Sequence, residues 1–196
     1  ILLVKHWGPV SGGHLAAAID VFAEDLDEQN ALNDRILSRA VYAAEVLKGD
    51  LDLLSSFSMS PPMVTFPFDP AVFYGTTYAE HRTRFEAFVN HHGVPIDRAH
   101  CLNGPTALTV SDFVEKHRVD LLVVGSVYKD AIDRLFLGST AETLIHELEC
   151  DIWLVKPASF LGTLSRLVNL PALRERARLQ QALQPATEER ELETST

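Results

Sequence analysis

Four residue types in this chain carry reactive chemistry, and most of them stand at spacings unsuited to it. Cys101 and Cys150 are the two cysteines and form no C-x-x-C pair. They read as reduced, buried thiols at strand ends rather than as a zinc or redox site. Ser111-Asp112 falls inside a helical pattern, with no G-x-S-x-G turn and no triad order around it. His91 and His92 precede Gly93 at a helix end, where polar or cationic side chains complement the helix dipole. His81, His100, His117 and His146 lack metal-ligand spacing. The sequence therefore names no catalytic residue and no metal ligand. Three places remain, and position unites them: Asp20, Ser55 to Phe57, and the loop from Gly125 to Thr140 each follow an apolar run. In an open parallel sheet, ligands bind beyond the carboxyl ends of such runs.

The elements that must position these places follow from periodicity. His14 to Phe22, Leu51 to Phe57, Ile96 to Leu102, Asp120 to Val124 and Asp151 to Val155 read as five strands. Asn30 to Lys48 has apolar residues at helical spacing, and Gly49 fits as its stop. Tyr78, Phe85, Phe88 and Val89 mark a second helix ending at Gly93, and Ala107 to His117 a third. A fourth opens at Gly138-Ser139-Thr140, where Ser139 and Glu142 have capping-box spacing. Residues 58 to 75, with Pro61, Pro62, Pro67 and Pro70, read as a long apolar connection. Alternating strands and helices imply a parallel sheet with right-handed crossovers.

Bulk properties narrow the partners. A formal net charge of −10 repels phosphate backbones and argues against nucleic acid. No apolar run reaches the ~20 residues that span a bilayer, so stable membrane insertion is not expected. With few cysteines and no secretory signal visible, a cytoplasmic location is expected. Because the chain opens at Ile1 rather than methionine, a preceding segment is also expected.

The stretch from Val123 to Pro157, VVGSVYKDAIDRLFLGSTAETLIHELECDIWLVKP, resembles the signature end of the universal stress protein family. That family has a strand, a glycine, two residues, a second glycine, nine residues, Gly-Ser, a helix and a last strand. Gly125 matches the first glycine, and Gly138-Ser139 matches the closing pair in register. The runs Asn30 to Asn33, Phe68 to Pro70, Leu137 to Glu142 and Cys150 to Pro157 resemble the second half of tandem members. The resemblance implies a Rossmann-like three-layer α/β sandwich with a five-stranded parallel sheet, akin to the adenine nucleotide alpha hydrolases. It implies a regulatory or protective role in the stress response rather than enzymatic turnover, a weak ATPase being the alternative. By position it gives Asp20 to the base or ribose side of a nucleotide, and Val124, Gly125, Gly138, Ser139 and Thr140 to its phosphates. Tyr128 stands where the second glycine belongs, and Asp130 and Asp133 add negative charge, partly offset by Lys129 and Arg134. These departures weigh against ATP, in favour of an empty site or another ligand.

Both ends carry further expectations. Ile1 to Lys5 nearly duplicates Ile152 to Lys156 and reads as the final strand of a preceding domain, with Gly8 to Gly13 as linker. It should pair with the last strand of this chain, since edge strands seek partners. The expected partner is a preceding universal stress protein domain, or a second copy of the chain through that strand; a purely structural half of such a pair is a third reading. The domain itself is placed at residues 14 to 157. Residues 158 to 196 read as a helical extension, with an apolar stripe from Phe160 to Leu170 and a polar, disordered tail from residue 185.

Overall fold

The computed structural model describes residues 1–5, 12–22, 26–58, 69–126 and 138–158. The apolar connection at 59–68, Tyr128 with its neighbouring charges, most of the first linker and the extension beyond 158 lie outside the described residues. The chain divides into two compact units, 1–157 and 158–196, and every described strand and helix belongs to the first.

In chain order the elements are β1 (Leu2–Leu3), β2 (His14–Ile19), α1 (Leu26–Leu47), β3 (Asp50–Phe57), α2 (Pro70–His92), a 3-10 turn (Ile96–Arg98), β4 (Ala99–Asn103), α3 (Thr106–His117), β5 (Leu121–Gly125), α4 (Ser139–Glu147) and β6 (Asp151–Val155). The sheet order is β1-β6-β5-β2-β3-β4. Five strands are parallel, and β1 joins β6 antiparallel as a sixth. The strands are buried on both faces because side chains alternate. Leu15, Ala17, Leu53 and Val123 face α1 and α2, packing with Ile36, Phe85 and Val89. Ala16, Leu54, Leu122 and Ile152 face α3 and α4, packing with Val110, Phe113 and Leu144. The result is a three-layer α/β sandwich, as expected of a βαβ pattern.

The pairing anticipated for Ile1 to Lys5 is present. Leu2 lies opposite Trp153 and Leu3 opposite Ile152. The Ile1 nitrogen donates to the Leu154 carbonyl at 2.9 Å, and the Leu154 N–H donates to the Ile1 carbonyl at 2.7 Å. Lys5 then ties this segment to α4: its ammonium donates to the Ile145 and Leu148 carbonyls, which the end of the helix leaves open.

Four local expectations need correction. The long connection is shorter than periodicity suggested, because α2 starts at Pro70. Asp69 caps it, its carboxylate accepting from Ala71 N at 2.9 Å and Val72 N at 3.4 Å, with proline at the first turn. Residues 96–98 form a 3-10 turn, and β4 begins only at Ala99. Gly138, not Ser139, is the N-cap of α4, and glycine has no side chain to cap with, so the Ser139–Glu142 capping box is absent. Finally, α1 ends through Lys48, which adopts the left-handed conformation at φ 53°. Gly49 instead lies against the backbone of Gly13, where a larger residue has no room.

A β-carbon at positive φ costs roughly 1–2 kcal/mol. Lys48→Gly is therefore expected to stabilise the chain by about 1 kcal/mol, read as a higher urea midpoint at unchanged slope. A lower midpoint would mean that α1 does not end in this turn.

Candidate functional site

The carboxyl edge of the sheet gathers most of the residues singled out from the sequence. Ala18 on β2 lies opposite Val124 on β5, so Asp20 and Gly125 leave adjacent strands. Asp20 is exposed, and its carboxylate accepts from Phe22 N at 2.8 Å, closing the turn after β2. Two polar residues of α1 that sequence reasoning left without a role hold that turn. Asn33, fully buried, donates to the Asp20 carbonyl at 2.7 Å and accepts from Asp20 N at 3.2 Å, while Gln29 donates to Asn33 at 2.9 Å. A polar residue on the apolar stripe of a helix was the available signal. Asp20 thus caps its own turn and still offers an exposed carboxylate.

Val124 is buried in the sheet. Gly125 ends β5 under α1: an added β-carbon would lie 3.0 Å from Ile36 Cδ1 and 3.1 Å from Leu32 Cδ2. A β-carbon here is tight against these two side chains, which would have to give by a few tenths of an ångström, so helix packing favours a small residue independently of any ligand. Ser126 comes next, buried, its N–H donating to the Val155 carbonyl at 2.9 Å. Its hydroxyl accepts from the buried Lys156 ammonium at 2.7 Å. A cation is thus fixed at the root of the Gly125–Thr140 loop. α4 comes after β5 and leads into β6, so a crossover helix places its amino end at the carboxyl side of the sheet. Gly138, Ser139 and Thr140 form that end, Ser139 being exposed and no side chain among the described residues capping the first turn. The open N–H groups of a helix's first turn and the helix dipole together favour an anion.

A second polar group lies under α2. His81 is 1% exposed, with Nε2 3.1 Å from Ser55 Oγ and Nδ1 3.4 Å from Cys101 Sγ. Phe57, Tyr78 and Phe22 surround it: Phe57 and Phe22 lie 5.3 and 6.2 Å from its ring, and Tyr78 lies 5.4 Å from Phe57. Burial pushes the His81 imidazolium down in pKa, against the opposing pull of Asp20. Burial also raises the Cys101 thiol, more than the Tyr78 hydrogen bond lowers it. Both groups are held neutral, so this Cys–His pair is a packed hydrogen-bonded unit and not an activated thiolate. His81 falls three residues after Tyr78 and four before Phe85, on the helix stripe already identified, and that spacing is what marks it as core. Cys101 lies within β4 and is half-buried, whereas Cys150 is buried just before β6 and its thiol is pushed up to about 11, mainly by burial. Among the described residues no set of three His, Cys, Asp or Glu side chains could hold a metal ion. No helix among them is long and apolar enough to cross a membrane.

Comparison with known proteins agrees with this architecture. A family model described as the universal stress protein family matches residues 26–156. Universal stress protein E of Escherichia coli K12 is 26% identical over 164 residues, covering 82% of this chain and 52% of that protein. Universal stress protein A homolog 1 of Coxiella burnetii is 28% identical over 142 residues, covering 71% of this chain and 92% of its own length. Among solved structures, a putative universal stress protein from Pseudomonas aeruginosa superposes with a TM-score of 0.71 at 26% identity, over 85% of this chain and 55% of that one. The chain spans about half the length of the universal stress protein E sequences it matches.

Proposed function

Because the chain belongs to the universal stress protein family, we propose that it serves the stress response as a regulatory module that binds a ligand and does not turn it over. The ligand is a phosphate-bearing small molecule at the carboxyl edge, with ATP the first candidate to test. The observation that carries this reading is the amino end of α4, which opens at the carboxyl edge without a side-chain cap among the described residues. Ser139 and Thr140 would offer N–H groups to phosphate, with Gly138, Gly125 and Val124 beneath and Asp20 on the sugar or base side. The same edge shows no activated nucleophile among its described residues, since Cys101 and His81 are both held neutral.

Incubation with ATP, followed by a phosphate-release assay, checks the non-catalytic part of this reading. Release at the level of the protein-free control is expected. Sustained release that purifies with the chain would replace a binding module with a hydrolase.

One observation favours a second reading, in which the chain supports a neighbouring domain. β1 occupies the outer edge of β6 and is anchored there by Lys5. A second copy could reach β6 only by displacing β1, so a preceding universal stress protein domain in tandem fits that edge better than a homodimer through the last strand. The two readings are compatible: a binding half can also be a supporting half.

A further inference from the structure

Midway along α2, a histidine is packed where a positive charge finds no counter-charge in contact. His81 is 1% exposed, and its ring nitrogens face a hydroxyl and a thiol: Ser55 Oγ of β3 at 3.1 Å and Cys101 Sγ of β4 at 3.4 Å. A neutral imidazole suits both, since it donates from one nitrogen and accepts at the other, and the Ser55 hydroxyl can serve either way. An imidazolium must donate from both, and the thiol is a weak acceptor. Among the described residues no carboxylate hydrogen-bonds to the ring. From the turn after β2, Asp20 pulls the His81 pKa upward, but burial outweighs it and pushes the value below that of an ordinary histidine. From β4, burial keeps the Cys101 thiol neutral, and on α2 it does the same for the Tyr78 hydroxyl. Arg82 and Arg84 of α2 are paired with Glu86 and Glu80 at 2.7 and 2.6 Å, and Arg84 also lies over the Phe22 ring.

The helix is held less firmly before His81 than after it. Toward its end, α2 buries Phe85 and Val89. Toward its start, contact with the sheet runs through Tyr74 and Tyr78, whose rings each lie 5.4 Å from Phe57, and through the Tyr74 hydroxyl on Asn103. Asp69 caps the first turn, but residues 71–76 are exposed. Gly75 is a poor helix former, and Thr76 and Thr77 turn their hydroxyls back onto the Val72 and Phe73 carbonyls. The start of α2 therefore depends on its anchors, and His81 is the most deeply buried of them.

We propose that His81 is an acid-sensitive latch: while neutral it holds residues 70–80 of α2 on β3 and β4, and when it takes up a second ring proton this part of the helix leaves the sheet with the rest of the domain folded. A released histidine binds its proton near the ordinary ~6.5, and the latched one binds it only below that. The closed form is thus fully favoured above ~6.5 and loses ground as pH falls toward the lower folded value. Release bares Phe57 and Cys101. It also removes one wall of the carboxyl edge, because Phe57 and Asn103, which Tyr74 touches, are the last residues of β3 and β4. The latch stands whether or not that edge takes a ligand.

The two cysteines report on this within one chain. Cys101 is half-buried beneath the latch, whereas Cys150 is buried on the opposite face of the sheet, in the layer under α3 and α4. Methyl methanethiosulfonate would be added to the full chain between about pH 8 and 5, and labelling of each cysteine read by peptide mass spectrometry. The urea-unfolded chain at the same pH supplies the reference rate. Cys101 labelling is expected to rise severalfold as pH falls below ~6.5, with a limiting slope of about tenfold per pH unit for one proton, while Cys150 stays unchanged. In His81→Gln, which can still bond to Ser55 but takes up no proton, the rise should vanish. A flat Cys101 profile, a parallel rise at Cys150, or the same rise in His81→Gln would overturn the latch. If His81→Gln does not fold, nuclear magnetic resonance of the His81 ring in the original chain takes its place. The ring is expected to titrate together with the Cys101 rise, and a rise without that titration would overturn the proposal.

Discussion

Leu122→Ala is expected to destabilise the chain by about 2–5 kcal/mol. Leu122 is fully buried, lies opposite Ala16 on one neighbouring strand and Ile152 on the other, and belongs to the apolar layer beneath α3 and α4. Its neighbours on the same level offer little to collapse into the space, since Ala16 is already small. The lost transfer energy of the side chain is thus joined by that of a persistent cavity. Urea unfolding should show a lower midpoint at unchanged slope, the signature of a native state weakened without a change in exposed surface. A loss below about 1 kcal/mol would mean that this layer is not close-packed.

Gly49→Ala is expected to cost about 3 kcal/mol or more, at the severe end of overpacking. The new β-carbon would lie 2.3 Å from the Gly13 carbonyl oxygen and 2.5 Å from Leu15 Cδ1. The first of these is backbone and cannot swing aside. Gly13 also accepts from Asp50 N at 3.0 Å, and Gly12 N donates to the Leu47 carbonyl at 2.9 Å, so the two chain segments are pinned together here. Relief would have to pull β3 away from β2 at their first paired residues, His14 and Asp50. Thermal unfolding of the variant beside Lys48→Gly makes the comparison sharp. Adjacent changes to small residues should move the midpoint in opposite directions, and a neutral Gly49→Ala would contradict the close approach.

These two neighbouring positions show where sequence reading succeeds and where it stops. Gly49 was legible as the end of a helix, because glycine is the usual left-handed cap. The structure gives that role to Lys48 and uses Gly49 for contact between segments 36 residues apart in the chain. Local propensity knows nothing of such contacts. Gly125 behaves similarly: the motif tied it to phosphate, whereas the packing of Leu32 and Ile36 over it already leaves little room for a side chain. The strands and three of the helices were legible because a strand buried on both faces is a continuous apolar run and an amphipathic helix has a fixed period. The first turns of α2 were not, since Val72, Phe73 and Tyr74 are exposed or nearly so and prolines crowd the approach. What marked the start was Asp69 before Pro70, a cap and a first-turn proline in sequence.

The candidate site was legible in part for the same reason. Asp20, Val124, Gly125 and the start of α4 announce themselves at the ends of apolar runs, and the structure sets Asp20 and Gly125 on adjacent strands. Asn33, Gln29, His81 and Lys156 did not, because each is a polar side chain on an otherwise apolar face. Their meaning depends on a partner from another element: the Asp20 turn for Asn33, Ser55 and Cys101 for His81, Ser126 for Lys156. Asp52 of β3, which meets His14 of β2 and His100 of β4, is the same case at the other end of the sheet. Three residues separated by 38 and 48 positions form one unit only after the strands are ordered.

The measurement that bears most directly on the binding reading is the identity of what the purified chain carries. Full chain and Ser139→Glu would be denatured side by side and the released small molecules identified by mass spectrometry. A carboxylate in the first turn of α4 complements the helix dipole, so the variant should fold at least as well as the original. It also places negative charge where phosphate would sit. The binding account predicts a phosphate-bearing small molecule released from the original chain in near-equimolar amount, and at least tenfold less from the variant. A blank from folded original chain, or equal release from both proteins, would contradict it and leave the chain as the supporting half of a tandem pair.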